Sequence, residues 1–277
     1  MVILIIFSAV FVLLLLYGFL SHLHLVTTHY EIVSDKLEKD MRIVLLSDLH
    51  CTEHGKNNSK LIQKIEQVKP DAVFAAGDLT NKHLDTQDIK VQKVLLLLKN
   101  LSQKYPVFYS DGNHEIRMDD PDDYRKAAKK AGVIYPENET VIYDCFSIYG
   151  LTLPKVGYYK KHLLDESIFD NIYADEPEGN DDKFHILLAH EPRYFEKYAY
   201  TRANLILSGH LHGGIMRLPF VGGVIASGFQ FFPKYDVGIF EKNGKSMVVS
   251  RGLGSHTFKF RFFNPPEVVI IDLKHKQ

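Results

Sequence analysis

The stretch "LILSGHLHGGIMRLP", Leu205 to Pro219, sets an apolar run directly before two histidines one residue apart, fenced by glycines. The run reads as a short buried strand. In extended backbone successive side chains alternate, so His210 and His212 are expected to point the same way. Gly209, Gly213 and Gly214 carry no Cβ, so backbone can come close to whatever the imidazoles hold. A lone H-x-H on a solvated turn would look the same, so the pair alone decides nothing.

Working outward from it, the same arrangement recurs. "RIVLL" leads to "SDLH", "DAVFAA" to "GDLT", "PVFYS" to "DGNHE" and "FHILL" to "AHEP". Between some of these runs lie helical candidates at Ser59 to Val68, Thr86 to Gln103 and Asp122 to Ala131, with Ser59 as the expected N-cap of the first. Strands alternating with helices predict an α/β sheet with right-handed crossovers. Ligands of such sheets bind at the carboxyl ends of the strands, and all five motifs fall there.

The rest of the chain is less informative. Pro154 to Asp182 is rich in Tyr, Lys and acidic residues and reads as a helical insert followed by a solvated loop, its acids facing water. Gly222 to Leu273, dense in Gly, Phe and Val, reads as strands and hairpins, and no internal repeat is visible. With 277 residues, 45% of them hydrophobic, the chain can build one sizeable core. A net charge of −1 carries no basic excess for nucleic acid, so no nucleic-acid partner is expected. Two cysteines, Cys51 and Cys145, make neither a disulfide framework nor a thiolate metal site, and Cys51 reads as filler.

The N-terminus reads "MVILIIFSAVFVLLLLYGFL", uncharged from Val2 to Leu20. Nineteen residues at 1.5 Å rise span about 29 Å, the thickness of a bilayer's hydrocarbon core. The segment has neither the basic start nor the A-x-A site of a cleaved signal peptide. It is expected to be an uncleaved anchor that puts the protein on a membrane. Lys36 and Lys39 follow the segment and nothing basic precedes it, a lean toward a cytoplasmic domain. Residues 1–21 are thus expected to be the anchor, 22–41 a linker and 42–273 the globular domain, which should fold without what precedes Met41.

The ligand-type residues in the five motifs are Asp48, His50, Asp78, Asn113, His190, His210 and His212. They offer hard oxygens and imidazoles without sulfur, a mix that suits Mn, Fe, Co or Zn better than Ca. Seven are too many for one catalytic ion with an open position and suit two ions sharing a carboxylate. Any one motif has a structural explanation: Asp78 could cap a helix and Asn113 could be a turn residue. All five ending strands by accident is not credible.

The series "DLH", "GDLT", "GNHE", "AHEP" and "GHLHGG" resembles the calcineurin-like metallophosphoesterases. The tail "GHLHGGIMRLPF", "FFPKYDVG", "SRGLG" and "NPPE" is similar to the small membrane-anchored or exported phosphoesterases of that family. The resemblance implies a four-layer α/β/β/α sandwich, here preceded by a transmembrane helix. It implies that Asp48, His50 and His212 hold one divalent transition-metal ion, that Asn113, His190 and His210 hold a second, and that Asp78 bridges them. His114 would lie near the substrate and protonate or stabilise the leaving oxygen. Asp111 departs from relatives, which often have an apolar residue or proline there, and is expected at most to adjust substrate contacts.

Such ions lower the pKa of water, which makes hydroxide available for in-line attack on phosphorus. Arg217 and Arg251 are further candidates for phosphate contact. The expected activity is hydrolysis of phosphomono- or diesters. An alternative substrate is a lipid-linked diphosphate such as a nucleotide-sugar lipid, with "FQFF" at Phe229 to Phe232 touching acyl chains. A non-catalytic scaffold would have lost ligands, and none is missing.

Overall fold

The apolar runs do become strands, and they sort into two sheets. The structure, a computed structural model, describes residues 2–180, 182–214, 216–218, 220–226, 230–255 and 261–276. It opens with helix α1 (Val2–Leu20) and strand β1 (Val26–Ser34). Then follow β2 (Met41–Leu46), α2 (Ser59–Val68), β3 (Ala72–Ala76), α3 (Ile89–Ser102), β4 (Val107–Ser110) and α4 (Pro121–Lys130). The second half holds β5 (Thr140–Tyr143), β6 (Phe146–Leu151), α5 (Lys155–Tyr159), α6 (Ser167–Asp170), β7 (Phe184–Ala189), α7 (Phe195–Tyr198) and β8 (Leu205–Ser208). It closes with β9 (Met216–Leu218), β10 (Gly222–Ala226), β11 (Gln230–Phe231), β12 (Gly238–Lys242), β13 (Lys245–Val249) and β14 (Glu267–His275).

One sheet has the order β1-β14-β2-β3-β4, the other β12-β13-β8-β7-β6-β5, and β11-β10-β9 form a small antiparallel sheet of their own. The strands that carry the motifs, β2 to β4 and β7 to β8, pair in parallel within their sheets. Between the two large sheets lies an apolar layer that includes Ile43, Leu45, Phe74 and Phe108 from one and Phe146, Ile148, Ile186 and Leu207 from the other. Phe74 stacks on Phe108 with ring centroids 5.0 Å apart. Fully burying such side chains contributes about 1.5–3 kcal/mol each. Helices α2 to α4 cover the outer face of the first sheet through Leu61, Ile65, Val94, Leu98 and Tyr124. The short helices α5 to α7 cover the second through Tyr158, Phe169 and Tyr198. The result is the α/β/β/α sandwich.

Several local expectations need correction. Residues 26–34, read as linker, are β1, which pairs in parallel with β14 along its whole length, from Val26↔Glu267 to Ser34↔His275. Ser59 is inside α2 and Asn58 precedes it in left-handed backbone; the Asn58 side chain accepts from His54 N at 2.9 Å instead of capping. Helix α3 begins three residues after Thr86 because Asp88 caps it, accepting from Lys90 N at 2.7 Å. Helix α4 begins at Pro121 behind an Asp120 cap. In the loop before β7, Glu176 does not face water: it meets His185 at 2.9 Å and Arg202 at 2.8 Å. Asp181 of that loop, and Phe229 of "FQFF", lie outside the described residues.

Helix α1 is the one element, among the described residues, that is long and apolar enough to cross a membrane. Its side chains are exposed along its length except at Gly18, which lies against the Phe262 ring.

Candidate metal centre

The carboxyl ends of both sheets' parallel strands meet at one place. The loop after β2 brings Asp48 and His50, the loop after β3 brings Asp78, and the loop after β4 brings Asn113 and His114. From the second sheet, His190 follows β7 and His210 and His212 follow β8. All eight are buried, although seven are charged or titratable groups that ordinarily seek water.

Three overlapping groups have their ligand-type atoms within 4.8 Å of one another: Asp48, His50 and His212; His50, Asp78 and His114; Asp78, His190 and His210. His50 Nε2 and His212 Nε2 are 3.1 Å apart, and His212 Nε2 is 3.4 Å from Asp48 Oδ1. Asp78 Oδ2 lies 3.2 Å from His190 Nε2 and 3.9 Å from His50 Nε2. Its other oxygen, Oδ1, accepts the backbone N–H of His114 at 2.8 Å, so the carboxylate is held with one oxygen aimed between the groups.

The two histidines of "GHLHGG" do not point the same way. Neither is extended: His210 has φ of 70° and His212 of 52°, so the chain turns between them. His212 therefore reaches Asp48 and His50, while His210 reaches Asp78 and His190. Asp48, His50 and Asp78 share this left-handed backbone, with φ of 52°, 49° and 55°. Such conformations are sparsely populated outside glycine and are kept where the surroundings over-determine them. The close approach at Gly209 is one such constraint. A Cβ there would sit 1.8 Å from Ser47 Oγ and 2.3 Å from Asp48 Oδ2.

The residues fit a pair of cations. Asn113 Oδ1 and His190 Nε2 are buried polar atoms without a hydrogen-bond partner, since the 3.2 Å approach of Nε2 to Asp78 is not aligned as a hydrogen bond. Each is oriented from its other side. His190 Nδ1 donates to the Ala76 carbonyl at 2.7 Å, and Asn113 Nδ2 donates to Tyr159 Oη at 3.2 Å. This is the outer support that metal-binding imidazoles and amides receive. Burial raises the carboxyls of Asp48 and Asp78, the latter to about 7. Burial works against charge on His190, yet the Asp78 and Asp48 carboxylates raise it to about 10. The place thus draws positive charge. Burial lowers His210 to about 3 and lowers His212 well below its ordinary value, so both imidazoles are in the neutral form that ligates.

Residues beyond the expected set support this cluster. Glu115, fully buried, accepts from the backbone of Asp78, Thr80 and Gly112 and from Tyr109 Oη. It is the last letter of "GNHE", so the motif held the signal without its meaning. Asn264 Nδ2 donates to the carbonyls of His212 and Gly214 at 2.6 and 2.8 Å. Glu191 Oε2 stands 3.4 Å from His210 Nε2; burial pushes this carboxyl up, but His210 and Arg193 bring it down to about 2.

Asp111 is buried and held by Arg125 at 2.6 Å and Tyr135 Oη at 2.6 Å, a structural engagement within the domain. Arg217 donates to Asp236 at 2.7 Å and to Gly213 O at 2.6 Å, and Arg251 Nε lies 3.0 Å from Glu267. Burial pushes the Cys51 thiol up to about 12, which suits filler.

A buried nest of imidazoles and carboxylates at the strand ends of a double-sheet sandwich defines a metal-dependent phosphoester hydrolase. The chain belongs to the calcineurin-like phosphoesterase family, whose profile matches residues 41–214. It is similar to an uncharacterized metallophosphoesterase of Campylobacter jejuni, 31% identical over 245 residues, covering 87% of this chain and 61% of that protein. It is 30% identical over 271 residues to an uncharacterized metallophosphoesterase of Aquifex aeolicus, covering 94% of this chain and 97% of the other. A transmembrane protein with a metallophosphoesterase domain from Danio rerio is 24% identical over 262 residues, covering 88% of this chain and 56% of that protein. The family implies a dinuclear divalent-metal centre.

Proposed function

We propose that this chain is a membrane-anchored phosphoesterase in which Asp48, His50 and His212 hold one divalent transition-metal ion (Mn, Fe, Zn or Co) and Asn113, His190 and His210 hold another, with Asp78 between them. The observation that carries the reading is Asp78 itself, with Oδ1 fixed by the His114 amide and Oδ2 within reach of both groups of imidazoles. When bound, the two ions neutralise phosphoryl charge and supply an acidified water.

The chain's own groups do the rest. His114 Nδ1 accepts the backbone N–H of Lys82 at 3.1 Å, so in the neutral ring the proton resides on Nε2. That N–H hydrogen-bonds the departing oxygen and stabilises its charge, and from the imidazolium form the ring would give up the Nε2 proton as a general acid and return to neutral. A phosphate role for Arg217 or Arg251 competes with their carboxylate partners Asp236 and Glu267.

The membrane reading rests on α1 and is supported by the Danio rerio relative. Lys36 and Lys39 favour a cytoplasmic domain. The substrate is a phosphomono- or diester; a lipid-linked diphosphate is the second reading, favoured by the apolar helix. The test is the full chain in detergent, loaded with each candidate metal and offered monoesters, diesters and lipid diphosphates. Two bound ions and chelator-sensitive hydrolysis are expected. Hydrolysis by a preparation holding one ion or none overturns the two-metal assignment.

A further inference from the structure

We infer that the β9–β10 turn and β11 form a second contact with the phospholipid bilayer, beside α1, which holds the mouth of the metal centre against the membrane surface. The inference rests on the reading of α1 as a membrane anchor.

The sequence observation is a gap in charge. Charged residues make up 24% of the chain, yet none occurs from Leu218 to Pro233. A stretch this apolar belongs in a core, but here large side chains stand in the open. Phe220 is fully exposed, Val221 is 56% exposed, and Phe231 and Phe232 are 63% and 64% exposed. Phe220 and Phe232 also hold left-handed backbone, with φ of 66° and 47°. That conformation is costly for a bulky residue and here directs rings to the outside. Clustered exposed apolar residues mark an interaction surface.

The partner follows from what the patch adjoins. The last turn of α1 packs on the segment that also holds β9. Phe262 lies against Gly18, and the rings of Tyr17 and Phe263 are 5.2 Å apart. Ser21 Oγ donates to the Arg261 carbonyl. On its other side Phe262 bridges to Met216, and its carbonyl accepts Arg217 N at 3.0 Å. From Arg217 to Phe220 is three residues, at most about 10 Å of extended chain. The polar zone on each side of the hydrocarbon core is about 5–7 Å deep. The turn therefore reaches the bilayer surface when α1 spans the bilayer, and phenylalanine suits that depth. The same strand begins four residues after His212, and Arg261 of the α1-contacting segment has Nη2 3.4 Å from His212 Nδ1, so the contact places the metal centre's rim at the headgroups, where the phosphates of lipid-linked substrates lie.

The chain contains no tryptophan, so single substitutions report local depth in the full protein. Phe220→Trp and Phe232→Trp probe the patch, Phe11→Trp probes α1, and Tyr200→Trp marks an exposed site on the helical side of the second sheet. Each variant is reconstituted in phosphatidylcholine vesicles with and without brominated chains. The expected result is blue-shifted emission, lost to bromine, at positions 11, 220 and 232, and water-type unquenched emission at 200. Quenching at 11 with positions 220 and 232 behaving like 200 overturns the second contact and leaves the anchor standing. Equal quenching at 200 and 220 also overturns it, since the patch is then not singled out. No quenching at 11 overturns the anchor, and the second contact with it.

Discussion

The carboxylate of Glu115 accepts the backbone N–H of Asp78 at 2.8 Å, tying the loop after β4 to the loop after β3. The same carboxylate takes N–H groups of Thr80 and Gly112 and the Tyr109 hydroxyl, all without solvent. Glu115→Ala strands these donors, at about 1–3 kcal/mol for each one left unpaired. We predict a stability loss on the order of 3–5 kcal/mol in urea unfolding and a fall in bound metal. A variant with unchanged midpoint and full metal content would show that the loops hold their shape without it.

His210→Ala and His114→Ala both delete an imidazole but should fail differently. The first should lose metal together with rate. The second should keep its metal and slow by about 10²–10⁴-fold. That loss should shrink for nitrophenyl esters, whose leaving group needs little protonation. Metal content and rate on good and poor leaving groups check this. Metal loss in the His114 variant makes that residue a ligand, which its place in a group with His50 and Asp78 permits.

Metal binding should weaken in acid. The carboxylates raise His190 to about 10 against the effect of burial, so at neutral pH a cation must displace its proton. Asp78, raised by burial to about 7, must also be ionised to ligate. Both protons leave on binding, so affinity rises with pH up to these values and falls as pH drops through them. One proton released corresponds to about tenfold per pH unit. Titration calorimetry in buffers of different ionisation enthalpy counts the protons, and release of none is the contrary result.

Gly209→Ala should cost metal as well as stability. Its Cβ would meet Ser47 and Asp48 at distances no real contact shows. Overpacking of this kind costs about 1–3 kcal/mol, and Asp48 must move to relieve it. Elemental analysis showing two ions in a fully active Gly209→Ala protein would mean the loop has slack.

Cutting the chain before Val26 and cutting it before Met41 should have different results. The first keeps β1 on β14; the second strips that pairing, exposes a sheet edge and removes Ile32 from the core. We predict a soluble, cooperatively unfolding domain from the first cut and an aggregating or destabilised one from the second. Size-exclusion profiles and urea melts compare them, and equal stability would mean that β1 is dispensable.

Strands β3, β4, β7 and β8 were legible because their apolar runs are buried on both faces and are punctuated locally by Gly, Asp and His. Helices α2 to α4 were legible for a similar reason, with starts shifted where Asp88 and Asp120 compete as caps. The seven ligand-type residues were visible by residue type and order; the structure draws six of them into overlapping buried groups, and Asn113 is buried next to His114 of those groups.

Other features depended on contacts far apart in the chain. Val26 to Ser34 looks like linker because its burial is partial and its partner strand begins at Glu267. The division of His210 and His212 between two groups arises from left-handed backbone held by packing such as Ser47 and Asp48 against Gly209. Glu115 reads as a surface residue by type, and only the approach of two loops turns it into a buried acceptor. The sequence by itself determined which residue types stand at which strand ends, because periodicity and turn chemistry are local. Which side chains face one another was decided only by the tertiary structure, because register, burial and close approach are set by residues distant in sequence.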